Sequence, residues 1–246
     1  MSTEDELIKC EWDAINRLLG GGLRRGSTCL VEELRGESRG VSGLLGVSFL
    51  HEGIKHGEGA IILLSEHTVG EYDLLQPVET LYEKAKPNQI LLMDGLSSLA
   101  YGVPSLPPKE GVIRCSNVRY AAKFYEELRT TVKRFDIARM YIDSLSVLLH
   151  SMESDRAAWQ FWLALLPLIQ HRKLTVIASL YPEMHTPQFT ESIERLSDSI
   201  IRFTALPAPP NETPLRQIQI VKNRGFSFDE QVHTYERKGF EYYIKD

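Results

Sequence analysis

The sequence predicts an α/β domain built on a mostly parallel β-sheet. Apolar runs of strand length recur along the chain, and stretches of helical periodicity separate them. The early runs are also nearly continuously apolar, as strands covered on both faces must be. With 246 residues, 43% apolar and 25% charged, the chain holds enough apolar material for one large core or two small ones. No internal repeat, low-complexity tract or linker divides it, so one domain over 1–246 is the simplest organisation.

Strands are predicted at 28–32 (TCLVE), 60–65 (AIILLS), 90–94 (ILLMD), 139–143 (RMYID), 174–180 (LTVIASL), 199–204 (SIIRFT) and 216–221 (RQIQIV). Between the first two, Leu44, Leu45, Val47, Leu50 and Ile54 share a helical face, and Gly57 can stop the helix. A second helix is predicted where Val118, Ala121, Tyr125, Leu128, Val132 and Phe135 recur every three or four residues, with Ser116 as its candidate N-cap. A third begins near Asp155 and carries Trp159, Trp162, Leu163 and Leu166, and Pro167 should kink or end it. Residues 101–115 hold three prolines and two glycines and read as a loop. Residues 205–214, with four prolines, read as a loop joining two antiparallel strands at the sheet edge.

Several function classes are excluded at this level. No apolar stretch reaches the roughly eighteen residues of a membrane span. The opening MSTEDELIKC is acidic and polar, unlike a secretory or transit segment. Cys10, Cys29 and Cys115 are odd in number and widely spaced, which points to reduced thiols and a cytoplasmic location. The net charge of -5 gives no global attraction to nucleic acid, though a local basic patch is compatible with it. The seven histidines show no zinc spacing with cysteine, and His51 and His56 are poorly placed to share an ion, so no metal site is expected.

The segment from Asp13 to Ser65 carries a more specific signal. DAINRLLGGGLRRGS opens it, a strand follows, a glycine-rich turn leads into a helix ending Phe49-Leu50-His51-Glu52-Gly53, and Gly57-Glu58 precedes the next strand. This ordered series resembles the opening of KaiC-like and RadA-like ATPases, and the likeness continues to Glu236. It implies a RecA-like, P-loop NTPase fold: a mostly parallel twisted sheet with flanking helices and an antiparallel C-terminal edge. It also implies ATP and magnesium as ligands, and a ring of RecA-like subunits as the assembly.

The phosphate loop departs from that family. A working loop follows G-x-x-x-x-G-K-[ST], whose backbone N–H groups curl around phosphates, whose Lys neutralises them and whose hydroxyl holds Mg²⁺. Counted back from Phe49, the aligned octet is Gly36-Glu37-Ser38-Arg39-Gly40-Val41-Ser42-Gly43. Val41 replaces the second glycine, Ser42 the Lys and Gly43 the hydroxyl. The loop is also about two residues longer before Gly36. Glu32, Glu33 and Glu37 nearby would repel a triphosphate. Gly36, Arg39, Gly40, Ser42, Gly43 and Asp143 therefore read as a vestigial nucleotide site, and the sequence predicts a pseudo-ATPase that requires no cofactor. In a shifted register Arg39 would stand in for the Lys and Ser42 would reach a metal. A glycine-rich turn without a ligand is the simpler account.

Other family positions survive in part. Asp143-Ser144-Leu145-Ser146 resembles the Walker B end of a strand, and a carboxylate capping a strand end would look the same. Glu66 matches the first of a paired Glu-Glu that activates water, with His67 in place of the second. Glu66 and Asp143 would be catalytic only in an active enzyme. Ser179 matches a polar sensor. Lys222-Asn223-Arg224-Gly225 is similar to the family's K-x-R-G, whose cations reach a neighbour's γ-phosphate; an exposed basic turn is the plainer alternative. The aromatic run from Phe226 to Tyr243 could stack bases, though strand packing accounts for it more simply. The phrase L-L-G-G-G-L…L-V-E-E is also similar to the RecA-like subunits of Elongator's accessory subcomplex, which implies a homo- or hetero-oligomeric scaffold and RNA as a candidate partner. The alternatives are a regulatory ATPase that binds ATP, and a trans-acting partner of an intact one.

Overall fold

The structure is a computed structural model that describes residues 7–34, 40–73, 81, 83, 85–99, 111–209, 214–238 and 241–245. A short ribbon pairs β1 (Leu7–Ile8) with β2 (Leu23–Arg24), and α1 (Asp13–Leu18) lies between them in sequence. The main sheet contains β3 (Thr28–Glu33), β4 (Gly59–Leu64), β5 (Ile90–Asp94), β6 (Val112–Arg114), β7 (Ile137–Asp143), β8 (Thr175–Leu180), β9 (Ser199–Leu206), β10 (Leu215–Asn223), β11 (Val232–Lys238) and β12 (Glu241–Lys245). Their order across the sheet is β12-β11-β10-β9-β3-β8-β7-β4-β5-β6. From β9 to β6 every pairing is parallel, and β9 to β12 pair antiparallel.

Two hydrophobic layers cover the sheet. On one face α1 and α2 (Val41–Lys55) pack against Cys29, Val31, Ile62, Leu64, Tyr141 and Ile201. On the other face α4 (Ala121–Arg134), α5 (Leu145–His150), α6 (Asp155–Arg172) and α7 (Pro187–Leu196) cover Leu30, Ile61, Leu63, Met140, Ile142 and Ala178. A short helix, α3 (Val69–Asp73), follows β4. Successive strand residues alternate between the layers, so one-residue steps in β3 send side chains to opposite sides. Among the described residues no helix is long and apolar enough to cross a membrane.

The seven predicted strands form, with ends moved by one or two residues. Gly57 stops α2 as expected, at φ 77, with Gly57 N bonded to Ile54 O and Glu58 N to Gly53 O. Four expectations need correction. Ser116 does not cap α4, which starts at Ala121; its N–H and hydroxyl instead donate to the Glu127 carboxylate. Pro167 does not end α6, which runs on to Arg172; it and Leu163 lie on the solvent side, where the carbonyl freed by the missing N–H can meet water. Residues 112–114 of the predicted loop add a parallel edge strand beside β5, while 101–110 lie outside the described residues. β9 and β10 are antiparallel as predicted but do not form the edge, since β11 and β12 continue the sheet beyond them. Tyr235 on β11 packs its ring edge against Phe203 at 5.4 Å, so that member of the aromatic run is core.

Candidate functional site

The chain leaves β3 for one face of the sheet and β8 for the other, so a crevice opens at the carboxyl ends of these strands. Glu33 ends β3, Ser65-Glu66-His67 follows β4, Asp143 ends β7 and Tyr181 follows β8. Glu33 shares a face of β3 with Cys29 and Val31, and Asp143 shares a face of β7 with Tyr141, which directs all three side chains toward the layer of α2.

Gly40 precedes α2 at φ 123, and Val41 and Ser42 open its first turn. Glu33 Oε1 accepts hydrogen bonds from Ser42 N at 2.8 Å, Ser42 Oγ at 2.6 Å and Gly40 N at 3.4 Å. A helix N-terminus presents unpaired N–H groups and a partial positive charge, which an anion neutralises. Here the anion is a buried side chain of the preceding strand. By sequence Glu33 counts among the carboxylates that repel a phosphate; in the fold it turns onto the donors themselves. Gly36 and Arg39 lie outside the described residues.

Asp143 is held from two sides. His67 Nδ1 contacts its Oδ2 at 2.8 Å, and the Tyr141 hydroxyl donates to its Oδ1 at 3.0 Å. The hydrogen bond to Asp143, working against burial, holds the His67 imidazole above its usual range. Tyr141 reaches Asp143 by crossing two glycines of α2. Its ring fills the space a side chain would need at Gly46, and its hydroxyl lies 3.8 Å from where a Cβ at Gly43 would sit. At Gly43 the helix is thus bare, with a tyrosine hydroxyl beside it.

The Tyr181 hydroxyl bonds Glu66. Burial, followed by the charges of Glu33, Glu66 and Asp143, pushes that phenol well above its ordinary range, which marks the crevice as acidic. Glu66 N and Ser65 N both donate to the Asp143 carbonyl, and Ser65 Oγ to the Ser144 carbonyl, so the segment after β4 is tied to the end of β7. Ser179 lies within β8, fully buried, with its hydroxyl 3.4 Å from the Ile142 carbonyl. Tyr141 and Tyr181 were missed from sequence. Tyr141 carried one usable signal: it lies two residues before Asp143 on a strand, hence on the same face.

A family model for the KaiC ATPase matches residues 8–241. The chain belongs to the KaiC ATPase family. No curated protein matches the sequence. Among solved structures it is similar to a KaiC-like protein of the hyperthermophilic archaeon Pyrococcus horikoshii OT3. That match has a TM-score of 0.73 and 19% identity, over 98% of this chain and 99% of the other. At that identity the likeness speaks for the fold, and it agrees with the RecA-like architecture expected from the sequence.

Within this KaiC-family domain Lys222 and Arg224 do not join the crevice. β10 runs antiparallel to β9, with Asn223 opposite Ser199, so the segment that follows lies at the amino end of the parallel strands. The crevice is at the carboxyl end, roughly 15 Å away along the strands. There the two cations cap α7. Lys222 Nζ donates to the carbonyls of Glu194 at 3.0 Å and Arg195 at 3.1 Å, and Arg224 donates to Arg195 O at 3.1 Å. Cations at a helix C-terminus satisfy its unpaired carbonyls and oppose its negative end. Asp198 ties the cluster together through Arg24 at 3.0 Å and Arg224 at 3.6 Å.

Proposed function

We propose that this KaiC-family domain is a pseudo-ATPase: a subunit of an oligomeric scaffold or regulator that does not work by hydrolysing ATP. The observation that carries the reading is the Glu33 carboxylate on Ser42 and Gly40, because it takes the donors a phosphate would need. The remaining groups agree. Magnesium triphosphate calls for a cation and a hydroxyl at the start of the helix, where this chain has Ser42 and Gly43. The Walker B-like carboxylate is engaged by His67 and Tyr141. A phosphate entering here would also meet the negative field of Glu33, Glu66 and Asp143. The described residues therefore do not fit the nucleotide.

The test is calorimetry with Mg²⁺ and ATP on the wild type and Glu33→Gln, with mass by light scattering in the same buffer. The wild type should show no binding heat up to millimolar ATP and a fixed oligomeric mass. Micromolar binding by the wild type would reject the reading and make Arg39 and Asp143 the residues to mutate.

A second reading has its own support. Lys222 and Arg224 lie at the end of the sheet away from this chain's crevice, so they can act on a nucleotide only in a neighbouring subunit. In that case the domain serves an intact ATPase in trans, and Arg224→Ala should remove its stimulation of that partner. RNA binding, as in the Elongator resemblance, would show as an affinity that falls steeply with salt.

A further inference from the structure

We propose that the outer stripe of α6 is a two-fold contact, in which the helix packs antiparallel on α6 of a second copy of this chain with Leu163 at the axis. The inference rests on the oligomeric part of the reading above and names a surface that builds it. α6 joins β7 to β8 and so lies over the middle of the sheet. On one side is α4, where Phe124 stacks on Phe161 at 5.4 Å, and on the other is α7, which joins β8 to β9.

The inner side of α6 places Phe161, Trp162, Leu165 and Ile169 in the core. A helix of this kind turns a polar side to water. Here the outer side is apolar at its centre: Leu163 is 41% exposed, Pro167 is exposed, and Trp159 and Leu166 are half-buried. At 3.6 residues per turn, Trp159 and Pro167 lie within about 40° of Leu163 around the helix and Leu166 within about 60°, so the four form one patch. Arg156 and Gln170, both exposed, close it at its two ends, seven residues before Leu163 and seven after.

An apolar centre with polar ends at equal distances suits a two-fold contact, because each copy must offer the other its own surface reversed. Antiparallel packing sets Trp159 of each copy against Leu166 of the other, and Arg156 against Gln170 rather than a second arginine. It also lays the amino end of α6, with Asp155, beside the carboxyl end, with Lys173, so side-chain charges and helix ends both attract. Parallel packing would stack like on like. The flanking helices form a polar rim with internal pairs: Glu126 with Arg129 at 2.6 Å on α4, and Glu191 with Arg195 at 2.8 Å on α7, and these pairs add no net charge to the contact. A stable dimer buries about 800 Å² on each partner. α6, about 27 Å long and 10 Å wide, supplies about a third of that, and the adjoining sides of α4 and α7 supply the rest.

Light scattering without nucleotide tests the contact on wild type and Leu163→Glu. The wild type should have the mass of an even number of chains. Leu163→Glu should weaken the contact about a hundredfold or more and halve the mass. Its circular dichroism should match the wild type, because Leu163 is exposed in the single chain. Introduced cysteines read the geometry, since Cys10, Cys29 and Cys115 are all buried. On oxidation Leu163→Cys should link two copies through itself. Arg156→Cys alone should not, because its two copies lie about 21 Å apart along the helices, far beyond disulfide reach, whereas Arg156→Cys and Gln170→Cys in one chain should link. A Leu163→Glu protein of unchanged mass, or a Leu163→Cys protein that does not link, would overturn this contact and leave the scaffold reading in place. Linking by Arg156→Cys alone would mean parallel packing and would overturn it too. Neither measurement involves ATP, so heat of nucleotide binding would reject the pseudo-ATPase reading without touching this contact.

Discussion

Gly46→Ala tests how the crevice is built from below. A methyl group at Gly46 would stand 2.4, 2.5 and 2.6 Å from three ring carbons of Tyr141. Carbon contacts settle near 3.5–4.0 Å, so the ring or the helix must move by about 1 Å. Tyr141 is fully buried on a central strand, with β4 and β8 on either side, and has no open space to enter. Overpacking of this kind costs about 1–3 kcal/mol. Displacing the ring also weakens the hydroxyl bond to Asp143, worth about 1.5–3 kcal/mol as a hydrogen bond to a charged group. Against this, alanine in place of glycine inside a helix contributes about 1 kcal/mol. The net loss is about 1.5–5 kcal/mol, or roughly 3–20 °C in Tm for a chain of this size. Thermal melts and urea titrations read it directly. Gly43→Ala is the control: its methyl would meet only the tyrosine hydroxyl at 3.8 Å, an ordinary contact, and stability should hold or rise. Tyr141→Leu in the Gly46→Ala background should recover part of the loss. A Gly46→Ala protein that melts at or above the wild type would show that helix propensity dominates and that the ring does not depend on this gap.

Two further outcomes follow from the buried polar groups. Arg139→Met should cost about 3 kcal/mol in urea unfolding, since Arg139 is buried, pairs with Glu58, donates to the carbonyls of Lys9 and Phe49 and lies over the Phe49 ring; Glu58 keeps Arg25, which holds the figure at the low end, and a loss below about 1 kcal/mol would reject this account of the cluster. The thiols of Cys10, Cys29 and Cys115 are all buried, and burial pushes Cys10 up to about 12 and the other two higher. A thiol-disulfide reagent should therefore label none of them until the protein unfolds, and a fast native-state reaction would contradict the packing.

Much of this molecule is legible without coordinates because it depends on local periodicity. TCLVE, AIILLS and RMYID are strands since buried parallel strands must be apolar on both faces, and Gly57 stops α2 since only glycine enters the left-handed region easily. Where the local rules failed, the environment decided. Pro167 is a helix breaker by its own chemistry, yet its place on the wet side of α6 removes most of the penalty. Ser116 is a good cap by type, but it found the Glu127 side chain before it found a helix end.

By itself the sequence determined the α/β class, the order of the strands along the chain and the family likeness. Only the tertiary structure decided what stands at the start of α2 and beside Asp143. Of two adjacent glutamates, Glu33 became a helix anchor and Glu32 a buried partner of Arg202, because the pleat sends neighbours to opposite faces. Lys222 and Arg224 went to the far end of the sheet because β10 turns back against β9. Tyr141 reached Asp143 because two glycines on a different element left it room. Each of these depends on which groups from distant parts of the chain are brought within about 3 Å, and no local pattern records that.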